Sequence, residues 1–323
     1  MWLTEAVRKR IDLVGFVDIK LAAAKQRRED FAAPDAAVGK DLASVIKQTG
    51  AEIVFNCTIP KAHHATCLTA LRNGCHVIVE KPLADSMQEA RELVRTAKRT
   101  KRVLSVIQNR RYTPQIRSLR AFLDSGRIGK LTTVHCSFFI GAHFGGFRDF
   151  MKHPLLLDMA IHSFDQGRFI SNQDSTHVYC HAWNPSGSWY KHGASASAIF
   201  EMTNDVVFAY QGSWCSEGCD TSWDCEWRII GEKGTVLWDG ADAFTAERVT
   251  GKGRFILEKQ PLNIPIRAPK RKTGGHEGVI LEFLDSVRKG AQPETSVADN
   301  VHSLAMVFGA IESAATKKRV RIK

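Results

Sequence analysis

Short β-branched runs alternate with longer helix-forming segments through the first 110 residues of this chain, and that alternation restricts the region to a parallel sheet covered by helices. Residues 13–18 read as a strand ending in an acid, and LAAAKQRREDFA at 21–32 as the helix after it. Residues 53–57 give the next strand, 62–73 an amphipathic helix stopped at Gly74, and 77–80 another strand. Asp85 is placed to cap the helix of MQEARELVRTAKR, and a strand at 103–107 follows it. Val77, Ile78 and Val79 are all apolar, without the polar alternation of a half-solvated strand, so this one is expected to be covered on both faces. Its carboxyl end delivers Glu80 and Lys81, at the edge where α/β sheets hold ligands, and Pro82, which has no backbone donor, stops the strand there.

After Asn109 the texture changes. A helix at 113–124 precedes long β-rich stretches at 131–140, 176–183, 195–202, 205–214 and 223–238, the pattern of an α+β domain on an antiparallel sheet. Between the first two stretches lie a glycine-rich loop, GAHFGGFRDF, and the segment LLLDMAIH. There Asp158 and His162 stand four residues apart, one helical turn, so a carboxylate can orient and charge-stabilise an imidazole that accepts a proton. The same spacing also suits a solvated helix face. Helices at 277–289 and 298–316 close the chain. The expected architecture is α/β plus α+β: a Rossmann-like domain at 1–110 and an α+β substrate-binding and oligomerisation domain at 111–323.

At 323 residues with 44% hydrophobic content the chain can build two cores. It has no apolar stretch long enough for a bilayer and no charged-then-apolar leader at MWLTEAVRKR, so a soluble, cytoplasmic protein without a membrane partner is expected. The eight cysteines lack CxxC pairing; Cys215, Cys219 and Cys225 are the one cluster, and free thiols are expected there with no metal. The net charge of +11 is spread over short groups rather than gathered in a helix-turn-helix or zinc-finger pattern, which argues against nucleic acid. It suits an anionic substrate or simple solubility.

Taken together, VIVEKPLA, NRRYTP at 109–114, SGRIGKL at 125–131, LLLDMAIHSFD at 155–165 and the terminal PETSVADN resemble the Gfo/Idh/MocA oxidoreductase family, named for glucose-fructose oxidoreductase and inositol dehydrogenase. The resemblance runs nearly end to end. It implies a nicotinamide-dependent dehydrogenase acting on a secondary alcohol of a sugar, cyclitol or related polyol. Lys81, Asp158 and His162 match the catalytic group, with Lys81 stabilising the developing alkoxide, His162 taking the hydroxyl proton and Asp158 orienting it.

The resemblance also implies cofactor contacts from Asp18, the turn Thr58-Ile59-Pro60, His64, Glu80, Lys81 and Asn109. An acid at a strand end accepts hydrogen bonds from ribose hydroxyls and disfavours a 2′-phosphate, so Asp18 favours NAD, while nearby Lys20 leaves NADP open. Arg111 is matched to a substrate contact, with a salt-bridging scaffold as the equal alternative. His153-Pro154 stands where the family commonly has glycines and adds a donor to the substrate side. The tryptophans at 183, 189, 214, 223, 227 and 238 suit sheet core or a subunit interface better than sugar stacking, and a homodimer or homotetramer through the second-domain sheet is expected. The family's opening strand and Gly-rich turn are not in the sequence, and the expectation is a longer product that begins upstream. Two alternatives share the fold: a non-catalytic nucleotide-binding regulator and an NAD-assisted glycosidase.

Overall fold

The computed structural model describes residues 3–267, 269, 272 and 274–322. They group into two compact units, one of Met1–Asn109 with Gly274–Val301, the other of Arg110–Thr273 with His302–Lys323.

In the first unit, α1 (Glu5–Arg8), β1 (Gly15–Val17), α2 (Leu21–Asp30), β2 (Ala37–Gly39), α3 (Leu42–Thr49), β3 (Ile53–Asn56), α4 (Pro60–Arg72), β4 (His76–Val79), α5 (Met87–Thr100) and β5 (Leu104–Val106) follow in order. Strands β1 and β2 pair parallel as a two-stranded sheet, and β3, β4 and β5 form a parallel three-stranded one. The strand β2, Ala37-Val38-Gly39, is too brief to show a period in the sequence, and the helix α3 after it is an element beyond those expected. Asp41 nevertheless starts α3 by accepting from the Ser44 N–H at 2.8 Å, and Gly50 ends it at φ +67, a conformation that a side chain resists. At α5 the cap is Ser86 rather than Asp85: its hydroxyl accepts from the Glu89 N–H at 3.2 Å, and Glu89 reaches back to the Asp85 N–H at 3.1 Å. That reciprocal pair satisfies one helix-end donor and the N–H of the residue just before the cap. Val77, Ile78 and Val79 of β4 are fully buried, as a strand covered on both faces must be.

The second unit holds α6 (Pro114–Asp124), β6 (Leu131–Phe139), α7 (Ile161–Ser171), β7 (Ser175–Trp183), β8 (Ser195–Met202), β9 (Val207–Ser213), β10 (Glu226–Gly231), β11 (Gly234–Trp238), β12 (Phe244–Val249) and β13 (Lys259–Leu262). Helix α8 (His276–Lys289) belongs to the first unit, α9 (Val297–Thr316) begins there and continues in the second, and β14 (Val320–Arg321) ends the fold. Nine strands form one sheet in the order β13-β12-β11-β10-β6-β9-β8-β7-β14, antiparallel except for β6 beside β9. The stretch 223–238, which reads as a single strand, is a hairpin: Gly231 and Gly234 pair across Glu232-Lys233. One face of the sheet is core. Side chains alternate along each strand, so Phe138, Phe200 and Phe208 are buried together with Trp227 and Trp238. Phe208, Trp227, Trp238 and Phe244 stack in succession at 5.7–6.3 Å, a ladder that spans β6 between β9 and β10 and then follows the neighbours β10, β11 and β12. Helix α7 closes the core: Phe164 packs on Phe200 at 4.7 Å, and Gly167 lies so near the Phe208 ring that a Cβ there would meet it at 2.8 Å. Each such buried aromatic contributes roughly 1.5–3 kcal/mol.

Candidate active site

Three parallel strands of the first unit end in residues expected to hold a cofactor. At the end of β1, Asp18 is exposed, and its carboxylate accepts from the Lys20 N–H at 2.7 Å. At the end of β3, Asn56 is buried; its amide oxygen accepts from the Thr58 hydroxyl at 2.8 Å and from the Thr58 N–H at 3.2 Å, which fixes the turn 58–60. Two large apolar side chains stand in solvent at these ends, Ile19 at 85% and Ile59 at 63% exposure. At the end of β4, the Lys81 N–H donates to the Glu80 carboxylate at 3.0 Å, and the Lys81–Pro82 bond is cis. Glu80 is also 4.0 Å from Nε2 of His276 at the start of α8, whose other ring nitrogen is 3.3 Å from the Asn109 amide. Burial holds the His276 imidazole below its usual range.

The adjacent histidines of α4 divide differently from expectation. His64 turns to α5, where its Nε2 meets Glu92 at 3.1 Å and its Nδ1 lies 3.9 Å from Glu89. His63, which the sequence reading passed over, is fully buried between the turn 58–60 and Pro82, with Nε2 3.0 Å from the Thr58 carbonyl and Nδ1 2.6 Å from the Pro82 carbonyl. His63, not His64, is the histidine in contact with the turn 58–60. Nothing in the residue types distinguishes the two, since each has an apolar or thiol side chain four residues later, Cys67 and Leu68.

In the second unit Asp158 lies in a π-helical turn, Leu155–Ala160, and His162 in the first turn of α7. The sequence reading expects an α-helix throughout; the π turn is a wider one, closed i to i+5, of a kind frequent at functional sites. Asp158 is buried, and its carboxylate accepts from Arg148 Nε at 2.7 Å. Arg148 comes from the loop that joins β6 to this helix, where its guanidinium lies over the rings of Phe144 at 5.0 Å and Phe147 at 4.8 Å. The sequence signal for it was FRD within the glycine-rich loop, ten residues ahead of Asp158. His153 is held at φ +51; burial, reinforced by the charges of His192 and Lys152, keeps it below the usual histidine range. Arg111 is spent on scaffold. Its guanidinium forks onto Asp165 with two bonds of 2.6 Å, and Ser303 donates to the same carboxylate at 2.7 Å, so the arginine named for substrate is taken up inside the protein.

Of the tryptophans, Trp214, Trp227 and Trp238 are core, whereas Trp183 and Trp223 are exposed and Trp189 stacks on His143 at 3.6 Å. Cys225 is buried, its sulfur 3.1 Å from the Ser163 hydroxyl, so this cysteine is a core residue. Among the described residues no three His, Cys, Asp or Glu side chains gather as a metal site, and no helix is long and apolar enough to cross a membrane.

Residues 3–108 match the model of an oxidoreductase family with an NAD-binding Rossmann fold, and residues 116–237 match the GFO/IDH/MocA C-terminal domain. The class is that of Rossmann-fold oxidoreductases. The chain belongs to the GFO/IDH/MocA family. It is similar to a 1,5-anhydro-D-fructose reductase of Ensifer adhaerens, 24% identical over 100% of this chain and 95% of that protein. It is likewise similar to an inositol 2-dehydrogenase of Rhizobium meliloti (strain 1021), 25% identical over 84% of this chain and 81% of the relative. Among solved structures, an oxidoreductase from Agrobacterium radiobacter in complex with NAD+, L-tartaric acid and magnesium superposes with a TM-score of 0.81 at 22% identity, covering 96% of this chain and 90% of that one. At that identity the likeness speaks for the fold.

Proposed function

We propose that this protein is an NAD-dependent dehydrogenase that oxidises a secondary alcohol on a sugar, cyclitol or related polyol, with Lys81, Asp158 and His162 as its reacting residues. The observation that carries the reading is Lys81 at the carboxyl end of the parallel strand β4, whose Val77, Ile78 and Val79 are fully buried, in a chain of this oxidoreductase family.

The cofactor, when bound, accepts the hydride. Asp18 fits the ribose hydroxyls, and it favours NAD because a 2′-phosphate beside it would set two negative charges together. Ile19 and Ile59, exposed just after β1 and β3, are apolar surfaces that a nucleotide ring covers, and Thr58, Pro60, Glu80 and Asn109 follow the carboxyl ends of β3, β4 and β5. Lys81 donates a charge-assisted hydrogen bond to the substrate oxygen as negative charge grows on it. His162 accepts the hydroxyl proton, a task suited to an imidazole near neutral pH. Asp158, held by Arg148, provides the negative charge that favours the protonated ring. His153 contributes a polar contact to the substrate. The named activities of the relatives, on an anhydrofructose and on inositol, support a ring with several hydroxyls as substrate. Assembly is through the open face of the nine-stranded sheet, where Tyr179, Trp183, Ile199 and Leu237 are exposed, and gives a homo-oligomer.

Incubation with NAD and a panel of cyclitols, aldoses and sugar acids, followed by nicotinamide absorbance, tests the reading. Net NADH formation with at least one polyol is the expected result. Release of sugar from a glycoside without net NADH would make the protein a glycosidase, and silence with a bound cofactor would make it a nucleotide-binding regulator.

A further inference from the structure

His63 makes two contacts that a neutral imidazole cannot both use as hydrogen bonds. Its Nδ1 lies 2.6 Å from the Pro82 carbonyl oxygen and its Nε2 3.0 Å from the Thr58 carbonyl oxygen. Carbonyl oxygens only accept, whereas a neutral imidazole carries one N–H, so satisfying both requires a hydrogen on each ring nitrogen. The ring is fully buried, where a lone pair facing a carbonyl oxygen would be costly. Its surroundings suit a positive charge in part. Asp85, in the turn before α5, is the acidic neighbour: burial and Glu89 push its carboxyl up, while His63 and Lys61 hold it down. Lys61, His64 and, in the last turn, Arg72 are the other basic groups on the same helix, and Cys67 beside it is a neutral thiol pushed up to about 12 by burial. The start of α4 disfavours a cation, but by less than two charge-assisted hydrogen bonds contribute.

The two carbonyls belong to the two segments that the proposed chemistry uses. Thr58 opens the turn 58–60, and Pro82 follows Lys81 directly. Asn56 completes the tie from beneath: its amide nitrogen donates to the His63 carbonyl at 3.2 Å and its amide oxygen receives Thr58. We infer that His63, protonated on both ring nitrogens, is a positioning residue that clamps the cofactor turn to the segment carrying Lys81. One arm sets the height of the turn and the other the placement of the lysine. The inference rests on the roles proposed above for that turn and for Lys81, and part of its test is independent of them.

The independent part is a long-range proton–nitrogen correlation spectrum of protein labelled with ¹⁵N-histidine, His63 being identified by the signals lost in His63→Gln. Two protonated nitrogens at pH 6.5 are expected, and a bare ring nitrogen there overturns the inference. The second part separates the arms. His63→Gln keeps a donor near the Nε2 position and so the Thr58 bond; His63→Asn keeps one near Nδ1 and so the Pro82 bond. His63→Gln is expected to bind NADH within about two-fold of wild type while its turnover falls roughly ten-fold, and His63→Asn to show the reverse, a ten-fold change being the scale of one such bond. Equal losses of affinity and turnover in both variants, with native circular dichroism, also overturn it. Wild-type protein that binds no NADH would remove the cofactor reading, and the spectrum alone would then decide the clamp.

Discussion

Two arginine–aspartate pairs, whose aspartates sit seven residues apart along the same helical segment, have opposite character. Arg111 and Asp165 are almost wholly enclosed, at 6% and 2% side-chain exposure, and joined by two parallel bonds. Arg148 and Asp158 share one described bond of 2.7 Å, and the arginine is 32% exposed on a loop of exposed phenylalanines. The residue types are the same, and the difference lies in denticity and solvent. A forked pair enclosed away from solvent serves the core. A pair whose arginine stands partly exposed on a loop can answer to whatever binds beside it. The role of such a pair is therefore written in its burial.

The comparison is broken most sharply by Arg111→Ala. It leaves Asp165 buried beside Ser303 with its main charge partner gone, and should lower stability by about 3–5 kcal/mol in urea unfolding, with turnover per folded molecule little changed. A loss of turnover larger than the loss of stability would return Arg111 to the substrate. Lys81→Met should cut turnover by roughly 10²–10³-fold at full cofactor occupancy and leave the urea midpoint near wild type, because the donor acts on charge formed in the transition state. His162→Ala should lower turnover about 100-fold and flatten the pH–rate profile on its acid limb; an unchanged profile would take the proton acceptor elsewhere. Arg148→Ala is the smallest. Discounted for exposure, its bond to Asp158 contributes about 1 kcal/mol, so kcat/KM should fall five- to ten-fold with stability nearly intact. Arg148→Lys should recover only part of that, since an ammonium lacks the planar Nε donor.

The sequence made the strand-and-helix alternation, the buried β4 and the Asp158/His162 spacing legible, because each rests on local periodicity or on residues near in the chain. What it hid depended on longer range or on a single turn. The Gly231-Glu232-Lys233-Gly234 hairpin carried its signal in two glycines flanking two charged residues, yet the apolar runs on either side read as one strand. His63 and His64 are adjacent on α4, and only tertiary packing decides which one enters the core. The π turn at 155–160 has no pattern of its own; residues that close i to i+5 look in sequence like residues that close i to i+4. Arg111 and Arg148 were likewise indistinguishable until their partners were seen.

The place of β6 in the nine-stranded sheet bears on how the protein is made. Its two neighbours, β9 and β10, begin at residues 207 and 226, so β6 emerges from the ribosome long before either strand it pairs with. At the usual pace of synthesis the interval is on the order of ten seconds. Over that time residues 131–171, Asp158 and His162 among them, wait with an apolar strand unpaired. The first unit's early strands, by contrast, find partners within about 25 residues. During synthesis, the half of the molecule that bears the histidine is the half most exposed to chaperones and to misfolding, and a slow stretch of translation after residue 231 would be well timed to let β6 find its place.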